Sequence, residues 1–143
     1  MRARTTLAAV ACAVAVAAGG LAGCGEDDDS GSALTREEFI AQADAICATG
    51  NEAIEAAIPA DGPPGEEFYD VIVDSTQASI DGVDALEPPE DMAADVDALV
   101  ASANEAMAEV RATPPAEFFA RDDDPFAEVN AQAKAIGLTE CAQ

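Results

Sequence analysis

Three pairs of adjacent prolines, Pro63-Pro64, Pro88-Pro89 and Pro114-Pro115, divide everything beyond residue 34 of this chain. A proline ring clashes with the preceding turn and donates no amide hydrogen, so neither a straight helix nor a central strand runs through such a pair. Between the pairs, apolar residues recur at steps of three and four, the spacing of one helix face, with no convincing strand alternation. The chain is therefore confined to a set of helices separated by proline turns.

The first helix is announced by Thr35 as N-cap, with Glu38 three residues on to complete a capping box and Leu34 and Phe39 placed as a hydrophobic staple. Its expected stripe is Ile40, Ala43, Cys47, Ile54 and Ile58, and the Pro/Gly-rich loop 59–65 ends it. The second helix, roughly residues 66–86, carries Tyr69, Ile72, Thr76, Ile80 and Val83 on one face and Asp70, Asp74, Gln77, Asp81 and Asp84 on the other. The third, about residues 90–112, begins with acids and ends with Arg111, as the helix dipole favours. Its stripe is Met92, Val96, Leu99, Ala103, Met107 and Val110. A short segment near 117–121 with Phe118 and Phe119 leads to a last helix over 125–136, with Asp124 as expected N-cap and Pro125 as N1. Phe126, Val129, Ala133 and Ile136 share its apolar face, and Gly137-Leu138 is a Schellman-type stop. The expected fold is all-α: an antiparallel bundle of three long helices plus one broken C-terminal helix over residues 34–143.

The N-terminus reads as an address. Arg2 and Arg4 precede an uncharged Ala/Val run over 7–18, closed by Leu21-Ala22-Gly23-Cys24, the layout of a cleaved secretory signal peptide over 1–23. Those last four residues resemble the lipobox of bacterial lipoprotein precursors. The resemblance implies that the Cys24 sulfur takes a diacylglyceryl group, that the preceding peptide bond is cut, and that Cys24 becomes the first residue of the mature chain. Only a thiolate is nucleophilic enough to take the lipid. A retained transmembrane anchor fits less well, because the run from Thr5 to Gly23 barely spans a bilayer and its Ala and Gly add little insertion energy. Residues 24–33 then form a lipidated, acidic tether that reaches up to roughly 30 Å at about 3.4 Å per residue.

Of four cysteines, Cys12 leaves with the signal and Cys24 carries lipid, so Cys47 and Cys141 remain. Two thiols in an exported chain are expected to pair. A bridge closing such a loop contributes about 4.5 kcal/mol in the chain-entropy picture, which suits a core built largely of alanine. A redox-active pair is disfavoured by the wide spacing and the acidic surroundings, which raise thiol pKa values.

The charge balance, 29 acids against six basic residues with no histidine, closes further possibilities. Without imidazole there is no Ser-His or Cys-His catalytic pair and no histidine metal ligand. Net charge −23 opposes phosphate backbones and argues against nucleic-acid binding. After cleavage four cations (Arg36, Arg111, Arg121 and Lys134) face all 29 acids, a formal charge of −25. Asp27, Asp28 and Asp29, or Asp122, Asp123 and Asp124, offer oxygen ligands for a weak divalent cation, but without the alternating spacing of an EF-hand loop. Paired-carboxylate catalysis needs a concave, aromatic-rich cleft, and six aromatics at core-like spacings supply none.

The stretch Thr35 to Ala48, ending Ala-Asp-Ala-Ile-Cys-Ala, and the ending Gly137-Leu138-Thr139-Glu140-Cys141 resemble a group of small lipoproteins from bacteria with GC-rich genomes. That resemblance spans both ends of the domain, with Pro88-Pro89 as a weaker middle match. It supports pairing Cys47 with Cys141 and implies no catalytic residue. The expected protein is a lipid-anchored domain held at the membrane through Cys24, outside the cytoplasm, non-enzymatic and without a cofactor or resident metal. Its acidic helices are expected to meet a cationic protein or peptide. The alternatives are a structural or accessory envelope lipoprotein without specific ligand, and a weak divalent-cation binder.

Overall fold

The computed structural model describes residues 34–143, which form one compact unit. The signal segment, Cys24, the tether and its three aspartates lie outside the described residues. Five helices follow in order: α1 (Arg36–Ala57), α2 (Glu66–Asp84), α3 (Ala93–Ala112), α4 (Pro115–Phe118) and α5 (Ala127–Ile136). Among the described residues there is no strand. The domain is a helical bundle with three long helices of 22, 19 and 20 residues.

The start of α1 follows its local chemistry. Thr35 Oγ1 accepts from the Glu38 amide at 3.3 Å, and the Glu38 carboxylate accepts from the Thr35 amide at 3.0 Å. Hydrogen bonding to Thr35 holds the Glu38 pKa below its ordinary value. Leu34 packs against the same core cluster as Phe39, as the staple requires. At the far end of the chain, Gly137 adopts φ 96°, a left-handed position that a Cβ disfavours. The Leu138 amide reaches back to Ala133 O at 2.9 Å, and the Gly137 amide to Lys134 O at 3.2 Å. This is the Schellman stop, and it drives Leu138 to full burial.

α1 packs on α2, α2 on α3, α3 on α5, and α4 leans on α2. The α1–α2 approach is close because two positions lack side chains: a Cβ at Gly82 would sit 2.9 Å from Ile46 Cγ2, and one at Gly50 would overlap Ser79 Oγ. The core contains Phe39, Met92, Met107, Val110 and Leu138, all fully buried, with alanines between them. All six stripe residues of the third helix are buried. Large side chains of this kind each contribute about 1.5–3 kcal/mol on burial, and an alanine far less.

The boundaries differ from the sequence expectation where side chains redirect the backbone. α3 begins at Ala93 rather than Glu90: Met92 and Ala93 both donate to Pro89 O, at 2.8 and 3.1 Å, in a turn that precedes regular helix. The acid Asp91 in that turn instead pairs with Arg36 of α1 at 2.8 Å. Helix α2 ends at Asp84, and the Leu86 amide bonds Val83 O in a tighter turn. Asp124 accepts from the Phe126 amide at 2.8 Å as a cap does. Phe126, however, has φ −100° and ψ 7°, so α5 starts at Ala127 and not at Pro125. Ile58, expected in the α1 stripe, is the C-cap residue with ψ 123° and is 59% exposed. Leaving helical geometry carries its side chain off the stripe.

Candidate functional site

Two features dominate the region where α1, α2, α3 and α5 meet: a clasp on the C-terminal turn, and a cavity beside it. The clasp is built on one face of α1, where Asp44, Cys47 and Asn51 stand at helical steps of three and four. Cys47 bonds Cys141, with Cα atoms 5.0 Å apart. Asp44 accepts from the Glu140 amide at 3.0 Å and from Thr139 Oγ1 at 3.1 Å. Asn51 donates to Glu140 O at 2.9 Å. The two segments that carry the family resemblance are thus in direct contact, and the disulfide expected from cysteine arithmetic is present.

Next to the disulfide lies a half-open cavity of about 270 Å³. Its lining is mainly apolar and includes the buried Ile80, Val83, Leu99 and Ala103 together with Phe126 and Val129. Gly50, Ser75, Thr76 and Ser79 also line it. Gly50 and Ser79 meet where α1 crosses α2, so closely that a Cβ on Gly50 would overlap Ser79 Oγ, and they form one wall of the cavity. Of the charged residues, Asp124 and Glu140 line it, both acidic, and no Lys or Arg does. Asn130 ties that edge together, donating to Asp124 Oδ2 at 3.3 Å and to Gln143 O at 3.2 Å.

A second group sits at the opposite end of α3. The Tyr69 hydroxyl donates to Val110 O at 2.7 Å and lies 3.2 Å from Thr113 O, reinforcing the end of α3, where Val110 O also accepts from the Thr113 amide at 3.0 Å. The Tyr69 ring meets Phe118 edge-on at 5.4 Å, and Phe68 stacks on Phe119 at 6.0 Å. Arg121 bridges Glu109 at 2.7 Å and Asp123 at 2.5 Å, which fastens the following loop to α3. Hydrogen bonds to Asp123 and then Glu109 raise the Arg121 pKa, and Arg121 in turn holds Asp123 below its ordinary value.

The aspartate triplet is dispersed: Asp122 is exposed, Asp123 faces Arg121, and Asp124 serves Phe126 and Asn130. Among the described residues no group of three Cys, Asp or Glu converges on a common point, and no helix is long and apolar enough to cross a membrane. The cavity is concave but not aromatic-rich, with Phe118 and Phe126 as its aromatic lining, and helix packing makes it, which aromatic spacing alone does not foretell. Asp44 and Asn51 were also missed; their signal was readable as two polar residues on the same helical face as Cys47. No family model matches the chain, and no curated protein or solved structure matches it.

Proposed function

We infer that this protein is an envelope lipoprotein, anchored through lipid on Cys24, whose 34–143 domain acts outside the cytoplasmic membrane as a non-enzymatic, acidic interaction module. The observation that carries this reading is the Cys47–Cys141 disulfide, which closes a separation of 94 residues. Structural disulfides of this kind belong to exported chains, since cytosolic reductants keep thiols apart. With that pair accounted for, Cys24 stands at the end of the apolar leader in the lipobox position. The short proline turns between α2, α3 and α4 suit an antiparallel arrangement of neighbouring helices.

Carboxylates on all three long helices are exposed, among them Glu52 and Glu55 on α1, Asp70 and Asp74 on α2 and Glu105 on α3, and together they set up a negative field. Such a field speeds the approach of a cationic protein or peptide and weakens with salt. Mass spectrometry of the native protein tests the anchoring. The expected species begins at Cys24 with added acyl mass and lacks two hydrogens between Cys47 and Cys141. A chain that retains residues 1–23 with free thiols overturns it. A pull-down from envelope extract tests the interaction: a saturable, salt-sensitive cationic partner supports it, and its absence leaves a structural accessory lipoprotein.

A further inference from the structure

We propose that the cavity between α1, α2, α3 and α5 is a binding site for a small organic cation, an apolar body of about ten non-hydrogen atoms carrying one protonated amine. Size comes first. A sealed apolar cavity of about 150 Å³ takes a benzene ring, and drug-sized pockets begin near 300 Å³. At about 270 Å³ this cavity lies between the two and admits a ring with a short chain.

Lining chemistry decides the ligand class. Ile80, Leu99, Val129 and Phe126 offer apolar surface, which favours an apolar body through its removal from water. The exposed Asp124 and half-buried Glu140 are the charged residues of the lining; Asp124 also accepts from the Phe126 amide and Asn130, and Glu140 from Gln143 Nε2 at 2.8 Å. With no Lys or Arg in the lining, an anionic head meets only like charge there, whereas an ammonium meets the opposite charge of Asp124 and Glu140. The cavity is also fixed in shape: the Cys47–Cys141 bridge is part of its wall, and the clasp holds Glu140 in place through its backbone. Preorganised walls reduce the ordering cost of binding. This site is independent of the lipid anchor, and either reading stands if the other fails.

The test is calorimetric titration of the full chain in lipid nanodiscs, with empty discs as the blank, using three probes of one size: 4-phenylbutylamine, 4-phenylbutanol and 4-phenylbutyrate. The expected result is saturable one-to-one binding with the amine about tenfold tighter than the alcohol, and the carboxylate weakest. No protein-dependent saturation with any probe, or a carboxylate that binds as well as the amine, overturns the proposal. Thr76→Phe fills the lumen and is expected to remove binding of amine and alcohol alike; unchanged affinity in the folded variant overturns it. Asp124→Asn with Glu140→Gln removes both charges, leaves the apolar lining intact and keeps an amide oxygen to accept from the Phe126 amide, so the test holds even where Thr76→Phe does not fold. In that variant the amine is expected to lose its advantage while the alcohol binds as before, and an advantage that persists overturns the charge assignment.

Discussion

Asp44 on α1 accepts the backbone amide of Glu140, 96 residues further along the chain, at 3.0 Å. The disulfide grips the very next residue, Cys141, from one turn further along the same helix face. The carboxylate orients the C-terminal turn and the covalent bond keeps it close. Asp44→Ala removes two accepted hydrogen bonds, and we expect a loss of about 1–2 kcal/mol in urea unfolding of the oxidised protein. Asp44→Asn keeps one acceptor oxygen and should lose about half as much. An alanine variant as stable as wild type would show that the disulfide alone sets the turn.

Replacing both bridge cysteines by serine should cost about 3–5 kcal/mol, because the open chain regains the freedom of a long loop on unfolding. That is a large share of the roughly 5–15 kcal/mol of an ordinary domain. Chemical denaturation of the oxidised and double-serine proteins measures it directly. A difference below about 1 kcal/mol would mean that the unfolded chain is already compact.

Tyr69→Phe keeps the ring contacts with Phe118 and Phe119 but leaves Val110 O without its hydroxyl donor. We expect a loss of about 1–2 kcal/mol, seen as a lowered thermal midpoint. Tyr69→Leu also removes the edge-on aromatic contacts and should fall further. Equal midpoints for wild type and Tyr69→Phe would rule out the hydroxyl as a reinforcement of the end of α3.

The thermal midpoint should rise as NaCl increases from low to molar concentration. Screening weakens both signs of interaction. Among the described residues the ion pairs are those of Arg36 with Asp91 and of Arg121 with Glu109 and Asp123. Exposed pairs are worth about 0–1 kcal/mol each, too little to offset repulsion spread over 29 acids. A flat or falling midpoint contradicts this.

Glu38 supplies a pH signature. Its folded pKa lies below the ordinary 4.5 through its hydrogen bonds with Thr35. A carboxylate with a depressed folded pKa contributes stability that is present above its unfolded value and lost as pH falls through the folded one. The stability gap between wild type and Glu38→Gln should therefore be constant above about pH 5 and close at lower pH. Urea titrations at neutral and acid pH read it, and a gap that widens in acid would reverse the assignment.

Local chemistry was legible from residues alone wherever partners lie within one helical turn. The Thr35–Glu38 box, the Gly137 stop and the Met92-to-Val110 stripe each depend on spacings of three to six residues or on one face of one helix, and the structure bears them out. The error at Ile58 arose because periodicity says nothing of where the backbone leaves the helix. The late starts of α3 and α5 arose because Pro89 and Asp124 first make turns of their own. Cys47 with Cys141 was accessible by counting thiols, since a covalent partner leaves few choices.

Residue order by itself thus determined helix identity, caps, stops and the bridge, because those follow from dihedral preferences, short-range hydrogen bonds and the scarcity of sulfur. Only the tertiary structure decided that Asp44 and Asn51 seize the C-terminal turn and that Ile80, Leu99 and Val129, from three helices, line one cavity. Voids and clasps are set by the distances between helices. Those distances emerge from many side chains packing at once, and no single segment encodes them.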